Sequence, residues 1–188
     1  MPPEDGVPDE IIISRVLHGR TCEFRTLIER YQQRIYSLGM QFFRNAEDAS
    51  DFVQEVFIRA YRKLQSFRGE SRFYTWLMRV AYNHGVNSLK RAKTYVSLAD
   101  ESIRDESRTP ERQRFAEEAR EALRKALTEL PEKYVVCIDL YFFYDLSHEE
   151  ISRVTGFPVN TIKSHVFRGK KLLREALKGT AAEDYHEM

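Results

Sequence analysis

A cluster of basic residues lies towards the C-terminal end of the sequence. Residues 159–178 contain one acidic residue and the cations Lys163, Arg168, Lys170, Lys171, Arg174 and Lys178. Just before them, Ser147 and Glu150 have the spacing of a helix capping box, and residues 156–158 predict a turn. Two short helices around a glycine-containing turn, the second of them basic, are typical of a helix-turn-helix that binds DNA. The alternative is an ordinary helical hairpin with a solvated basic face.

A second group of charges is acidic and precedes a basic stretch that begins at Arg59. It consists of Glu47, Asp48, Asp51 and Glu55. Acidic residues in the first turn stabilise a helix because they interact favourably with its dipole, which accounts for Glu47 and Asp48. Asp51 and Glu55, however, are four residues apart and alike in charge, which weakens a helix unless they meet a cation. The spacing therefore predicts a surface for a basic partner.

A third segment, residues 67–93, alternates aromatic and basic residues. It contains the aromatic residues Phe67, Phe73, Tyr74, Trp76 and Tyr82 and the cations Arg68, Arg72, Arg79, Lys90, Arg91 and Lys93. Aromatic rings that stack on bases, together with cations that meet phosphates, are what single-stranded nucleic acid requires. Helical spacing favours the core for Phe73 and Trp76. We expect Phe67 and Tyr74, beside a glycine-containing loop, to be exposed.

Motifs for catalysis or metal binding are absent from the sequence. Residues 148–152 lack the second histidine of the zinc motif His-Glu-x-x-His, no glycine-rich phosphate loop occurs, and the five histidines are scattered. Cys22 and Cys137 lie too far apart in sequence to form a Cys-x-x-Cys site and are consistent with a reducing compartment. The acidic N-terminus does not resemble a signal peptide, and no apolar run has the ~20 residues that span a bilayer. We expect a cytoplasmic protein that is not an enzyme and holds no metal or cofactor.

The sequence predicts helices over nearly all of the 188 residues, and these helices must position the three segments described above. Glycine and proline are few, and apolar residues recur at steps of three and four. We expect a short first helix that Asp9 caps and that ends near Gly19, a second carrying Phe24 to Phe42, and a third that begins at Asn45. After a loop at 66–72, the fourth helix extends to about Arg91. Further helices are predicted at 115–130, 133–144, after Ser147, and from 159, where Ile162, Val166, Leu172, Leu173 and Leu177 are candidate core residues.

The periodicity fades over residues 93–114, which are rich in acidic residues, Ser and Thr. A structureless stretch of about 20 residues is unusual inside one compact domain, so we interpret it as a flexible linker. The predicted fold class is therefore all-α. It comprises two small helical domains, residues 9–92 and 115–178, and the second contains the helix-turn-helix.

In their order along the chain, the three segments resemble an extracytoplasmic-function sigma factor of bacterial RNA polymerase. DASDFVQEVFIRAY (residues 48–61) is similar to the family's core-binding helix, and SFRGESRFYTWL (residues 66–77) to its promoter-melting loop. LPEK (130–133), LSHEEI (146–151) and PVNTIKS (158–164) resemble its C-terminal helix-turn-helix domain. The resemblance covers residues 9–178 apart from the linker, and nothing in that linker resembles the middle domain of larger sigma factors.

The resemblance implies a role for each segment. The helix that carries Asp51, Gln54 and Glu55 would dock on the clamp of the largest polymerase subunit, and the C-terminal domain would meet the flap of the second-largest subunit. A base flipped from the non-template strand of the minus-ten element would be held by Phe67, Arg68, Ser71, Tyr74, Asn83 and Asn87. The minus-thirty-five element would face Lys163, Ser164, His165, Phe167, Arg168 and Lys171. An anti-sigma protein is a further implied partner.

Two other classes of function remain open at this point. A DNA-binding response regulator or repressor would bind promoters without polymerase, and a protein-interaction adaptor would have no salt-dependent affinity for DNA. Residues 84–86, Thr155, Asn160 and His165 depart from the family's usual residues. These departures affect the expected promoter sequence and not the fold.

Overall fold

The computed structural model describes residues 6–89 and 110–183, and all regular structure in these two ranges is helical. This confirms the all-α fold class. The helices are α1 (Asp9–Leu17), α2 (Phe24–Phe43), α3 (Ala46–Arg62), α4 (Phe73–Leu89), α5 (Pro110–Glu129), α6 (Glu132–Phe142), α7 (His148–Thr155) and α8 (Val159–Leu177). Short 3₁₀ turns lie at Thr21–Glu23 and Leu64–Ser66. Contacts divide the chain into two compact units, the first with α1 to α4 and the second with α5, α6, α8 and most of α7.

In the first unit, α2 packs against both α3 and α4, and α1 packs on α2. Helix α3 begins where the sequence predicts, because the Asn45 side chain accepts a hydrogen bond of 2.8 Å from the backbone N–H of Glu47. Gly85 lies in the middle of α4, where glycine ordinarily costs stability. Here a Cβ atom would lie 2.1 Å from Cε2 of Phe42, so a residue without a side chain is required.

Asp9 ties the first helix to the second. The predicted capping role is not observed, because Asp9 is the first residue inside α1 and Pro8 occupies the cap position. The Asp9 carboxylate instead accepts a hydrogen bond of 2.7 Å from Arg30 and another from the hydroxyl of Tyr31. Burial, followed by this contact with Asp9, raises the pKa of Tyr31. The network holds the Tyr31 ring of α2 against the first turn of α4, where it stacks on the ring of Tyr74.

In the second unit, α8 packs against α5 and α6. Leu127 and Ile138 form a buried cluster, with Leu123, Leu130 and Leu173 packed against it. Gly169 lets α8 approach α6, because a Cβ atom there would lie 2.6 Å from Cδ1 of Ile138.

Some element boundaries differ from the predicted ones. Helix α5 begins at Pro110 and not at Phe115, so the last residues of the predicted linker are helical. Proline suits a first helical turn because its missing N–H would be unpaired there. Leu172, a predicted core residue, is exposed. The remainder of the predicted linker, residues 93–109, and the predicted end of α4 at Arg91 lie outside the described residues.

Candidate nucleic-acid interface

An open cavity of about 570 Å³ lies in the first unit between the end of α3 and one face of α4. Three cations line it: Arg59 and Lys63 from the end of α3, and Arg79 from α4. Asn83 and Asn87, the two asparagines expected to hold a flipped base, lie on the same wall and are both exposed. Cations suit phosphate groups and amide side chains suit base edges, so the cavity has the chemistry to hold a nucleotide strand.

Sequence reasoning missed several residues of this cavity. The sequence identifies Arg59 only as the start of a basic stretch and His84 only as a departure from the family pattern, and it gives Lys63 no role. A spacing signal does exist in α4, since Arg79, Asn83 and Asn87 recur every four residues and therefore share one face. Lys63 also lines the cavity, because the end of α3 lies beside this face of α4. That packing is a tertiary contact, which helical spacing does not predict.

The loop before α4 is held by an aromatic cluster. Phe67 is half-buried, and its ring lies 5.7 Å from that of Phe73 and 5.6 Å from that of Trp76. Tyr74 is only 9% exposed, stacks on Tyr31 at 5.5 Å and lies beneath the guanidinium of Arg34. The prediction that Tyr74 is exposed is therefore wrong, because the first turn of α4 faces α2.

The other two residues predicted in this loop lie nearer the solvent. Arg68 is exposed, and Ser71 is half-buried. Gly69 between them has a φ of 72°, a conformation that favours glycine and lets the loop reverse direction.

The acidic face of α3 carries the three residues predicted to bind the core enzyme. Asp51, Gln54 and Glu55 are all exposed. Glu55 forms an ion pair of 3.2 Å with Arg59 one turn further on, which supplies the cation that the sequence argument required. Ile58, on the same side of the helix, is 45% exposed. The surface is thus an acidic stripe with an apolar residue at one end.

Local hydrogen bonds build the predicted helix-turn-helix in the second unit. The capping box is confirmed: the Glu150 N–H donates to Ser147 Oγ at 3.2 Å, and the Ser147 N–H donates to the Glu150 carboxylate at 3.0 Å. Gly156 ends α7 with a φ of 82°, and its N–H donates to the carbonyl of Ser152. The Ser152 hydroxyl donates to the carbonyl of Phe157 at 2.6 Å, which fixes the turn into α8.

Helix α8 presents most of the residues predicted to face DNA. Lys163, Ser164, Phe167, Arg168 and Lys171 are all exposed, and they recur at steps of three and four. Phe167 is 71% exposed, more than any other large apolar side chain in the described part of the chain.

His165 is the exception, because its side chain packs against its own unit. The ring is half-buried, contacts the rings of Tyr134 and Phe157, and lies with Nδ1 3.8 Å from Sγ of Cys137. Burial, and then the positive charges of Lys133 and Arg168, lower the pKa of His165. Burial raises the pKa of the Cys137 thiol to about 11, so this cysteine is not a reactive thiolate.

The lowered pKa of His165 predicts a pH-dependent stability of the second unit. In the unfolded chain the pKa returns to its ordinary value near 6.5, so between the two values the unfolded state binds a proton that the folded state does not. We therefore expect the free energy of unfolding to fall as the pH decreases from about 7.5 to about 6, and His165→Gln to remove part of that fall. Urea titrations that follow NMR signals of the second unit at both pH values measure it. An equal fall in wild type and variant would contradict the assignment.

Within the described part of the chain, no group of three or more His, Cys, Asp or Glu side chains is arranged to hold a metal ion. Nor does any helix there have the length and apolar character needed to cross a membrane.

Comparison with known protein families gives two matches along the chain. Residues 27–95 match Sigma-70 region 2, and residues 120–173 match Sigma-70 region 4. The first match spans α2 to α4 with the cavity and the acidic face, and the second contains the helix-turn-helix.

The similarity to known proteins extends over nearly the whole chain. The RNA polymerase sigma-H factor of Pseudomonas aeruginosa is 33% identical over 181 residues, which cover 90% of this chain and 94% of that protein. The ECF RNA polymerase sigma-E factor of Escherichia coli K12 is 36% identical over 180 residues, with the same two coverages.

Two solved structures share the fold at lower identity. CnrH, in complex with the cytosolic domain of CnrY, has a TM-score of 0.65 at 22% identity and covers 90% of this chain and 96% of its own. RpoE from Bartonella quintana, in complex with the anti-sigma factor NepR, has a TM-score of 0.63 at 20% identity. The match covers 84% of this chain and 98% of the RpoE chain.

Proposed function

Because the chain belongs to the extracytoplasmic-function sigma factors of RNA polymerase, we propose that it directs the core enzyme to promoters in two separate contacts. Its first unit docks on the core and opens the minus-ten element, and its second unit reads the minus-thirty-five element. The alternative, a repressor that acts without polymerase, is not favoured, because sigma-factor matches cover both units. Run-off transcription with purified core enzyme separates the two, since a repressor binds promoters without the core.

The cavity between α3 and α4 is the observation that carries the strand-opening role. Base flipping costs a few kcal/mol in lost pairing and stacking, which a sigma factor recovers through contacts to the flipped base and its strand. Arg59, Lys63 and Arg79 would neutralise phosphates, and Asn83 and Asn87 would bond to base edges. No covalent step is needed, so the protein performs this role without catalytic residues or a cofactor of its own.

Substitutions in the cavity test this role. We expect Lys63→Ala and Asn83→Ala each to reduce strand opening by about five- to tenfold while core binding is retained, because each removes one polar contact to the strand. Permanganate footprinting of unpaired thymines on a transcribed promoter measures opening. Phe67→Ala is a weaker test, since the Phe67 ring also supports the aromatic cluster.

Arg25→Ala is the matched control, because Arg25 is an exposed cation of the same unit that pairs with Glu29 and does not line the cavity. A promoter with a premelted bubble should partly restore the activity of the Lys63 and Asn83 variants, since the cost of unpairing its bases has already been met. Normal footprints in both variants would exclude the cavity from promoter opening.

The acidic face of α3 is the proposed contact with the clamp of the largest subunit. Asp51 and Glu55 would pair with basic groups of the clamp, Gln54 would add a hydrogen bond, and Ile58 would bury apolar surface beside them. The second unit would meet the flap of the second-largest subunit.

An anti-sigma protein is the remaining proposed partner. The solved structure of RpoE is a complex with the anti-sigma factor NepR. By analogy, a partner of this type would hold the present protein inactive in the cytoplasm until a signal releases it.

A further inference from the structure

One imidazole lies among the polar residues of the cavity, and its ring plane is fixed. His84 stacks on Phe52 with parallel rings, at 5.4 Å between centroids and 2° between planes. Phe52 is itself buried and held by the rings of Phe42 and Phe43. A half-buried ring fixed in this way approaches a ligand with its edge in a defined orientation, which a flexible side chain does not offer.

The surroundings of His84 favour its neutral form. Burial, and then the positive charge of Arg59, lower the pKa of His84, whereas Glu55 acts in the opposite direction and is paired with Arg59. A neutral imidazole carries one hydrogen-bond donor and one acceptor, like the edge of a nucleobase. The cations around it suit phosphates, whereas His84, like the amides of Asn83 and Asn87, suits a base edge.

We propose that His84 determines promoter specificity by hydrogen-bonding the edge of one base of the opened strand. The proposal rests on the proposed function of the cavity as the site of that strand. A ring that served only to cover Phe52 would need no nitrogen atoms, yet His84 lines the cavity beside Asn83 and Asn87.

His84→Phe tests the proposal because it keeps an aromatic ring against Phe52 and removes both nitrogen atoms. The measurement is binding of holoenzyme to short single-stranded non-template oligonucleotides that carry each of the four bases at each minus-ten position. We expect the wild type to prefer one base at a particular position, and His84→Phe to reduce that preference about three- to tenfold with the other positions unchanged. His84→Gln, which retains a donor and an acceptor, should keep or shift the preference at the same position.

His148→Phe is the matched control, since His148 also stacks on an aromatic ring, that of Tyr141, but belongs to the second unit. It should leave all minus-ten preferences unchanged. If His84→Phe keeps the wild-type preferences, or weakens all oligonucleotides equally, His84 is a packing residue and the proposal is wrong. Failure of the underlying function has a different result: Lys63→Ala and Asn83→Ala would then leave the affinity for every oligonucleotide unchanged.

Discussion

Reversing both charges in Asp51→Arg/Glu55→Arg is expected to weaken binding to the core enzyme by at least about 30-fold, because juxtaposed like charges in an interface cost several kcal/mol. The helix should persist, since both side chains are exposed and α3 is held by buried residues on its opposite face. Titration of labelled protein with purified core enzyme measures the affinity, and circular dichroism measures the helical content. Asp51→Arg alone is the cleaner variant, because Glu55 already pairs with Arg59 within its own helix.

Glu117→Arg/Glu121→Arg on α5 is a matched control for that double variant. These two exposed residues have the same spacing, and Glu121 pairs with Arg124 as Glu55 pairs with Arg59. The control changes the net charge by the same amount, so it separates a specific contact from a general electrostatic effect. Equal losses of core affinity in the two double variants would remove the acidic face of α3 from the interface.

The features that the sequence predicted correctly depend on interactions over a few residues. The start of α3 at Asn45 and the capping box of Ser147 and Glu150 are side-chain to backbone hydrogen bonds within three positions. The end of α7 at Gly156 needs a positive φ, which glycine adopts without strain. Such signals are contained in the spacing of residue types, so periodicity and capping chemistry are sufficient to find them.

The features that the sequence did not predict depend on which face of a helix meets its neighbour. Tyr74 and His165 both occupy positions that the resemblance gives to DNA, yet each ring stacks or packs against another helix of its own unit. Gly85 looks unfavourable in a helix until the ring of Phe42 is seen to fill the space of its missing side chain. Periodicity alone does not report these contacts, because each partner lies more than 25 positions away in sequence.

The cavity shows the same division within one site. Asn83 and Asn87 were identified from the family pattern, and their common face follows from helical spacing. Arg59 and Lys63 were not, because they line the cavity only once the end of α3 lies beside α4, and His84 was identified only as a departure from that pattern. The sequence therefore predicts some of the residues of the cavity, whereas the full set of lining residues depends on how α3 packs beside α4.

Replacing Arg168 by alanine is expected to relax the preference for one base pair of the minus-thirty-five element, at a cost of about 1–3 kcal/mol in binding. The second helix of a helix-turn-helix lies in the major groove with its N-terminal residues towards the base edges. Lys163 is exposed in that part of α8 and Arg168 near the middle of the helix, and guanine is the usual partner of such cations. Phe167 beside them is exposed and available for an apolar contact with DNA.

Lys171, one turn further along α8, is expected to behave differently. Lys171→Ala should weaken binding to all sequences alike and reduce the slope of log affinity against log salt by about one unit, as loss of a phosphate contact does. Neighbouring cations are less suitable for this test, because Lys170 lies over the ring of Phe142 and Lys178 pairs with Glu175. Their substitution would disturb contacts within the unit as well as any contact with DNA.

Holoenzyme binding to a panel of minus-thirty-five variants at several salt concentrations distinguishes the two residues. The expected pattern is a changed base preference with Arg168→Ala and a changed salt slope with Lys171→Ala. The opposite pattern would mean that α8 lies in the groove with its C-terminal half towards the bases. If neither substitution changes DNA affinity, the basic face of α8 is solvated surface, and the helix-turn-helix does not read this promoter element.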